Sequence, residues 1–216
     1  MPKVIQLKEI RNDFSDNIRK LHDLCKIDID EISNLIIEKI DSDVPLIKEM
    51  ANYVVLSGGK RLRSLLTVAC AKMSEYGFKK EEKRHIGLAV AIEFIHTATL
   101  LHDDVVDESD LRRGLASANV VWGNQASVLV GDFLFSRAFE LMVDDGSLDV
   151  LQVLSRASSV IAEGEVQQLT TSNDTETGET AYLEVIRSKT AQLFSAACRI
   201  GALVADRPKV EEDALE

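Results

Sequence analysis

The stretch EEKRHIGLAVAIEFIHTATLLHDDVVD, residues 81–107, decides how this chain folds. From Glu81 to Asp107 it is almost wholly apolar with few polar interruptions, which predicts a central helix packed on several sides. At its end Asp103 and Asp107 stand at i and i+4, so their carboxylates share one face about 6 Å apart at the backbone, with Asp104 beside them. Like charges at that spacing destabilise a helix, and the apolar run Ala98 to Leu101 implies that one side of the segment is buried. A divalent cation resolves the conflict. Oxygen ligands with no nearby Cys or second His favour magnesium over zinc.

Working outward, helix follows helix and no convincing strand is seen. Ile32, Leu35, Ile36 and Ile40 recur at helical spacing after the caps Asp28 and Asp30. Val44 to Leu56 forms the next helix, closed by Gly58-Gly59, and Leu62 to Tyr76 another, stopped at Gly77. Asn124 to Val143 ends in the turn Asp144-Asp145-Gly146, Leu148 to Leu169 follows, and Thr180 to Val204 closes the set after a loop from Thr170 to Gly178. The fold is all-α. Prolines occur only at positions 2, 45 and 208, and no linker or repeat is visible, so residues 1–216 read as a single domain.

Composition narrows the ligand. A formal charge of -11 argues against nucleic acid as a partner, so phosphate recognition must come from a local basic cluster. Cys25, Cys70 and Cys198 are odd in number and widely spaced, which reads as buried free thiols in a reducing compartment. The first thirty residues carry neither a secretion signal nor a transit peptide, no transmembrane segment is visible, and the expected address is the cytoplasm.

The basic cluster is Ser57-Gly58-Gly59-Lys60-Arg61-Leu62-Arg63, at a junction between helices. Its glycines free the backbone, and the following helix offers unpaired N–H groups and a positive dipole end, which together suit a diphosphate. It is not a P-loop, since no strand precedes it and the spacing differs. Arg112-Arg113-Gly114, directly after the aspartates, puts further basic groups next to the proposed metal site.

These residues resemble the trans-isoprenyl diphosphate synthases. The likeness runs through Gly58 to Arg63, Glu93 to Gly114, Trp122-Gly123-Asn124, Gly131 to Leu134, Glu163-Gly164-Glu165 with Gln168, and Lys189-Thr190. The long-chain branch, of the octaprenyl diphosphate synthase kind, fits best. The resemblance implies an isoprenoid synthase-type helical bundle around a central cavity. It implies a reaction in which isopentenyl diphosphate is condensed with an allylic diphosphate, such as farnesyl diphosphate, to give a long-chain product for a quinone side chain. Asp103 and Asp107 would bind magnesium, with Asp104 supporting them. Arg112, Lys189 and Thr190 would contact the allylic diphosphate, while Lys60, Arg63, His96 and Arg113 would grip isopentenyl diphosphate; Gln168 joins the substrate-binding set. His22, His85 and His102 receive no role. Ala98 and Thr99, small residues before the first aspartate, imply a deep channel and a long product, with Phe133, Phe135 or Phe139 as its floor. A homodimer and peripheral membrane contact for product release are further expectations.

Three departures stand out. The family's second aspartate-rich motif, a Phe-Gln followed by Asp-Asp, does not occur before Glu216, so the reading expects a C-terminally truncated member with its last helices missing. Asp144, Asp145 and Asp149 read as solvated capping acids rather than a substitute. Ser64 stands where Pro is usual, and Ala116-Ser117 where Pro-Thr is common. The alternative is a catalytically incomplete fragment, or a non-catalytic partner subunit of a heteromeric synthase.

Overall fold

The structure is a computed structural model that describes residues 7–56, 59–76, 83–171 and 178–216. The expected Ser57-Gly58, the stop at Gly77, the helix start at Glu81 and most of the 170–178 loop lie outside the described residues. The helices are α1 (Leu7–Leu24), α2 (Lys26–Lys39), α3 (Pro45–Leu56), α4 (Leu62–Met73), α5 (Arg84–Val106), α6 (Ala118–Trp122), α7 (Asn124–Asp145), α8 (Leu148–Thr171), α9 (Glu179–Ile186), α10 (Gln192–Val204) and α11 (Lys209–Leu215).

α5 is the axis of the bundle. Leu88, Ala89, Val90, Ala91, Ile92, Phe94, Ile95 and Ala98 are fully enclosed, as an all-round apolar helix requires. By length and composition alone α5 could cross a membrane, but two thirds of its most apolar window is buried inside the protein. α7 packs along it most extensively, and α4, α2 and α10 close the remaining sides. Glycine sets how closely these helices approach. A Cβ on Gly131 of α7 would lie 2.2 Å from His102 Nε2, and one on Gly201 of α10 would lie 2.4 Å from Cys70 Cβ and 2.7 Å from the Ala71 nitrogen.

Several expected details differ. Leu111–Arg112 and Leu115–Ala116 pair as a two-stranded antiparallel hairpin. Its turn is Arg113-Gly114, both with positive φ (53° and 80°), the left-handed pair that a two-residue hairpin needs. Strands of two residues leave no period to read. The single helix expected over Thr180–Val204 is interrupted by a π-turn, Arg187–Ala191, because one inserted residue leaves the apolar spacing nearly unchanged. Asp28 and Asp30 do not cap α2, which begins before them at Lys26 without a side-chain cap. Asp28 instead holds His85 at 2.9 Å and Lys72 at 2.8 Å, while Asp30 pairs with Lys26. Asp145 is not a solvated acid: its side chain is 4% exposed and takes two hydrogen bonds from Arg84, tying the end of α7 to the start of α5. Cys70 on α4 and Cys198 on α10 are free thiols.

The glycines give a paired prediction. Gly201→Ala drives a new Cβ into Cys70 Cβ and the α4 backbone and is expected to destabilise the chain by about 1–3 kcal/mol. Gly87→Ala, where an added Cβ meets nothing within 4 Å, is expected to stabilise by about 0.5–1 kcal/mol through helix propensity. Denaturant unfolding of the two variants measures both signs.

Candidate functional site

The carboxyl end of α5 places its three aspartates in three different environments. Asp104 is 2% exposed and accepts a bidentate pair from Arg112, Nε and Nη2 each at 2.7 Å. The hairpin delivers that arginine: Ser117 N–H donates to the Asp110 carbonyl and Ser109 N–H to the Asp104 carbonyl, folding the strands back over the helix end. Asp107 lies exposed at the helix C-cap. Asp103 accepts from Lys189 Nζ at 2.7 Å. The same ammonium is 2.7 Å from Glu165 Oε2 and donates to Gln168 Oε1 at 3.1 Å.

Lys189 and Thr190 sit in the π-turn, which seats closely on α8 because Gly164 lacks a side chain: a Cβ there would lie 2.7 Å from Ser188 Cβ. Thr190 is exposed and, with Gln168, Tyr182, Ile186 and Lys189, lines a second cavity of about 330 Å³. Glu165 is part of the resemblance but is given no role there, although it lies one helical turn before Gln168 on the same face. Burial and the neighbouring Asp103 push its carboxyl up to about 7, against the opposing pull of Lys189.

The basic residues gather around a cavity of about 150 Å³ lined by Gly59, Lys60, Arg63, His96, Arg112 and Arg113, among others. Gly59 serves by close approach rather than by conformational freedom. Its φ is not positive, and a Cβ on it would lie 2.7 Å from Arg113 Nη1 and 2.8 Å from Nη2, so the guanidinium lies against bare backbone. Arg61 also lines this cavity, but its guanidinium donates to Ser33 Oγ at 2.6 Å on α2, and its backbone has a left-handed φ of 43°. Arg63 lies over the Phe194 ring at 4.2 Å, and its Nε is buried without a hydrogen-bond partner among the described residues. Phe194, from α10, had no signal in the sequence. Glu93, one turn before His96 on α5, accepts from Ser64 N–H at 3.3 Å and Ser64 Oγ at 2.6 Å. A proline at position 64 would lose both bonds, so Ser64 exchanges a rigid helix start for a tie to α5.

His96 stays neutral here. Burial, then Arg63, Arg113 and Arg112, hold its imidazole down to about 3. An orphaned guanidinium nitrogen, three arginines and an uncharged imidazole around one cavity form a receptor for a small anion of high charge.

The fit to magnesium rests on donor chemistry. Among the described residues no three Asp, Glu, His or Cys side chains converge on a ready-made cage. Asp103 and Asp107 nonetheless offer hard oxygens on one helix face. That matches a cation held by one or two carboxylates and completed by water and substrate phosphate.

Ala98 is fully buried, and Thr99 is half-buried with its hydroxyl donating to the His96 carbonyl. Phe135 stacks on His102, Phe133 lies under Arg137, and Phe139 is 43% exposed. His102 bonds the Val128 carbonyl, His85 bonds Asp28, and His22 meets the Lys60 carbonyl.

The all-helical arrangement around α5 is that of the isoprenoid synthase-type bundle, and comparison with known proteins narrows it further. Residues 44–216 match the family model described as polyprenyl synthetase. Octaprenyl diphosphate synthase of Escherichia coli K12 is 49% identical over 200 residues, covering 93% of this chain and 61% of that protein. A crystal structure of polyprenyl synthase from Caulobacter crescentus, complexed with calcium and isoprenyl diphosphate, superposes with a TM-score of 0.87 at 48% identity over 92% of this chain and 59% of that one. A decaprenyl diphosphate synthase from Rhodobacter capsulatus gives 0.88 at 48% identity, covering 92% and 60%. The chain belongs to the polyprenyl synthetase family. It spans less than two thirds of the length of these relatives.

The depressed His96 predicts a signed pH effect. Since the folded imidazole titrates near 3 and the unfolded one near 6.5, the unfolded chain binds a proton first as pH falls. The stability from neutral His96 is complete above 6.5 and is lost between 6.5 and about 3. Nitrogen-15 spectra should show a neutral His96 ring at pH 5, and His96→Gln should flatten the acid limb of the stability curve.

Proposed function

We propose that this chain belongs to a prenyltransferase. The enzyme joins isopentenyl diphosphate to an allylic diphosphate such as farnesyl diphosphate and extends it to a long-chain trans-polyprenyl diphosphate, for a quinone side chain. The single observation carrying this reading is the gathering of Lys60, Arg63, His96 and Arg113 around one cavity, with Asp103 and Asp107 at the end of the same central helix. The identity to octaprenyl diphosphate synthase, 49% over 200 residues, supports it. In this reading residues 1–216 belong to one polyprenyl synthetase domain in the cytoplasm.

Each charge then has a task. Lys60, Arg63 and Arg113 hold the diphosphate of isopentenyl diphosphate, and Phe194 and the bare backbone of Gly59 fix the two guanidinium planes. Neutral His96 keeps the cavity from excess positive charge before the anion arrives and is set to take up a proton as it enters. Asp103 and Asp107 would hold magnesium, with Arg112, Lys189, Thr190 and Gln168 facing the allylic diphosphate. What magnesium supplies when bound is neutralisation of that diphosphate as it leaves. The apolar walls of α5 and α7 exclude water from the allylic cation, and small Ala98 and Thr99 leave room for a lengthening chain. Exposed Leu129, Phe139 and Val143 on α7 support a homodimer through that helix.

Radiolabelled isopentenyl diphosphate with farnesyl diphosphate and magnesium is expected to give a ladder ending in long prenyl products. Asp103→Ala should lower turnover by about a hundredfold or more. Products ending within one or two additions would overturn the long-chain assignment, and activity appearing only on mixing with a second chain would make this one a component of a heteromer. Ala98→Phe is expected to shorten the products, read by chromatography of the dephosphorylated prenols; an unchanged ladder would remove Ala98 from the channel.

A further inference from the structure

Lys189 is ligated as a small cation would be. Its single charge sits among Asp103 Oδ1 at 2.7 Å, Glu165 Oε2 at 2.7 Å and Gln168 Oε1 at 3.1 Å, oxygens delivered by α5 and α8. The three side chains bearing the charges are only 14% (Asp103), 27% (Glu165) and 21% (Lys189) exposed, so water screens the cluster weakly. A positive charge between two carboxylates brought this close relieves their repulsion. We propose that Lys189 competes with the metal ion: its ammonium holds the Asp103–Glu165 oxygens as an internal counter-ion and must leave them for a divalent cation to bind. This rests on the reading of Asp103 as a magnesium ligand, and it adds Glu165, which that reading does not contain, to the residues that recruit the cation.

The fold makes such an exchange practicable. Gly164 lets the π-turn backbone seat firmly on α8, so the movable part is the lysine's four-carbon stem, not the chain that carries it. Lys189 also lines the cavity shared with Gln168, Tyr182, Ile186 and Thr190, which gives the displaced ammonium somewhere to go. Asp104 cannot substitute for the lost carboxylate, being taken by Arg112. A cation arriving alone must therefore displace an ammonium that has no new partner. One arriving with a diphosphate supplies that partner, so metal and diphosphate should bind cooperatively.

The test titrates the chain with Mn2+ alone, reading free ion by electron paramagnetic resonance. Lys189→Met is expected to tighten Mn2+ binding by roughly tenfold, because the competitor is gone. Lys189→Arg keeps the charge and should bind no tighter than wild type, while Glu165→Gln should bind more weakly. Adding inorganic diphosphate should tighten Mn2+ binding in wild type much more than in Lys189→Met. If Asp103→Ala abolishes wild-type binding but Lys189→Met leaves it unchanged or weaker, the competition is overturned and the metal reading stands. Tightening by Lys189→Arg also overturns it. Failure of every variant to bind Mn2+, with or without diphosphate, overturns the metal reading and this inference with it.

Discussion

The burial of the apolar residues of α5 from Leu88 to Ala98 is the constraint on which everything else depends. A helix this apolar can exist in water only if neighbours cover most of its surface, and α7, α4, α2 and α10 do so. Enclosure at that density requires close approach, and Gly131 and Gly201 provide it where α7 and α10 meet residues 102 and 70–71. The helix must also end, and its end is where charge re-enters. Asp103, Asp104 and Asp107 mark that exit, and the hairpin, α8 and the π-turn converge on it because the apolar surface has been used up there.

Charge at this exit is balanced by elements far apart in sequence. Arg112 from the hairpin answers Asp104, and Lys189 from the π-turn answers Asp103 and Glu165. On the neighbouring wall the balance is left open. Arg63 and Arg113 face a cavity with a neutral His96, and the Arg63 guanidinium is supported by an aromatic ring instead of a full set of acceptors. In the proposed condensation, such an excess of fixed positive charge next to compensated aspartates would handle two anions in different ways, one directly and one through a metal. That division is the physical content of the proposed condensation.

Much of this was legible in the sequence because the strongest signals are local. Helix existence follows from apolar spacing, and α3, α7 and α8 begin or end within two residues of their expected limits. The aspartates, Lys60, Arg63, His96 and the arginine pair could be chosen because their residue types and spacings fit one chemistry. Misreadings arose where a local pattern has two outcomes. Asp28 and Asp145 look like caps, but burial gave each a cationic partner from another helix. Gly59 reads as a residue that frees the backbone, but what the fold uses is its missing Cβ against Arg113. The π-turn and the two-residue strands are too short to disturb a periodicity.

The sequence by itself determined that the chain is all-helical, that its central helix is buried, and which side chains carry negative and positive chemistry, because each follows from composition at fixed spacing along one element. Only the tertiary structure decided which charges meet. The pairing of Lys189 with Asp103 and Glu165, the seat of Arg63 on Phe194, and the division of three neighbouring aspartates among an arginine, a lysine and solvent are all decided by distant segments. Those contacts are set by how helices pack at close range, where one absent Cβ or one inserted residue turns a side chain toward a different partner.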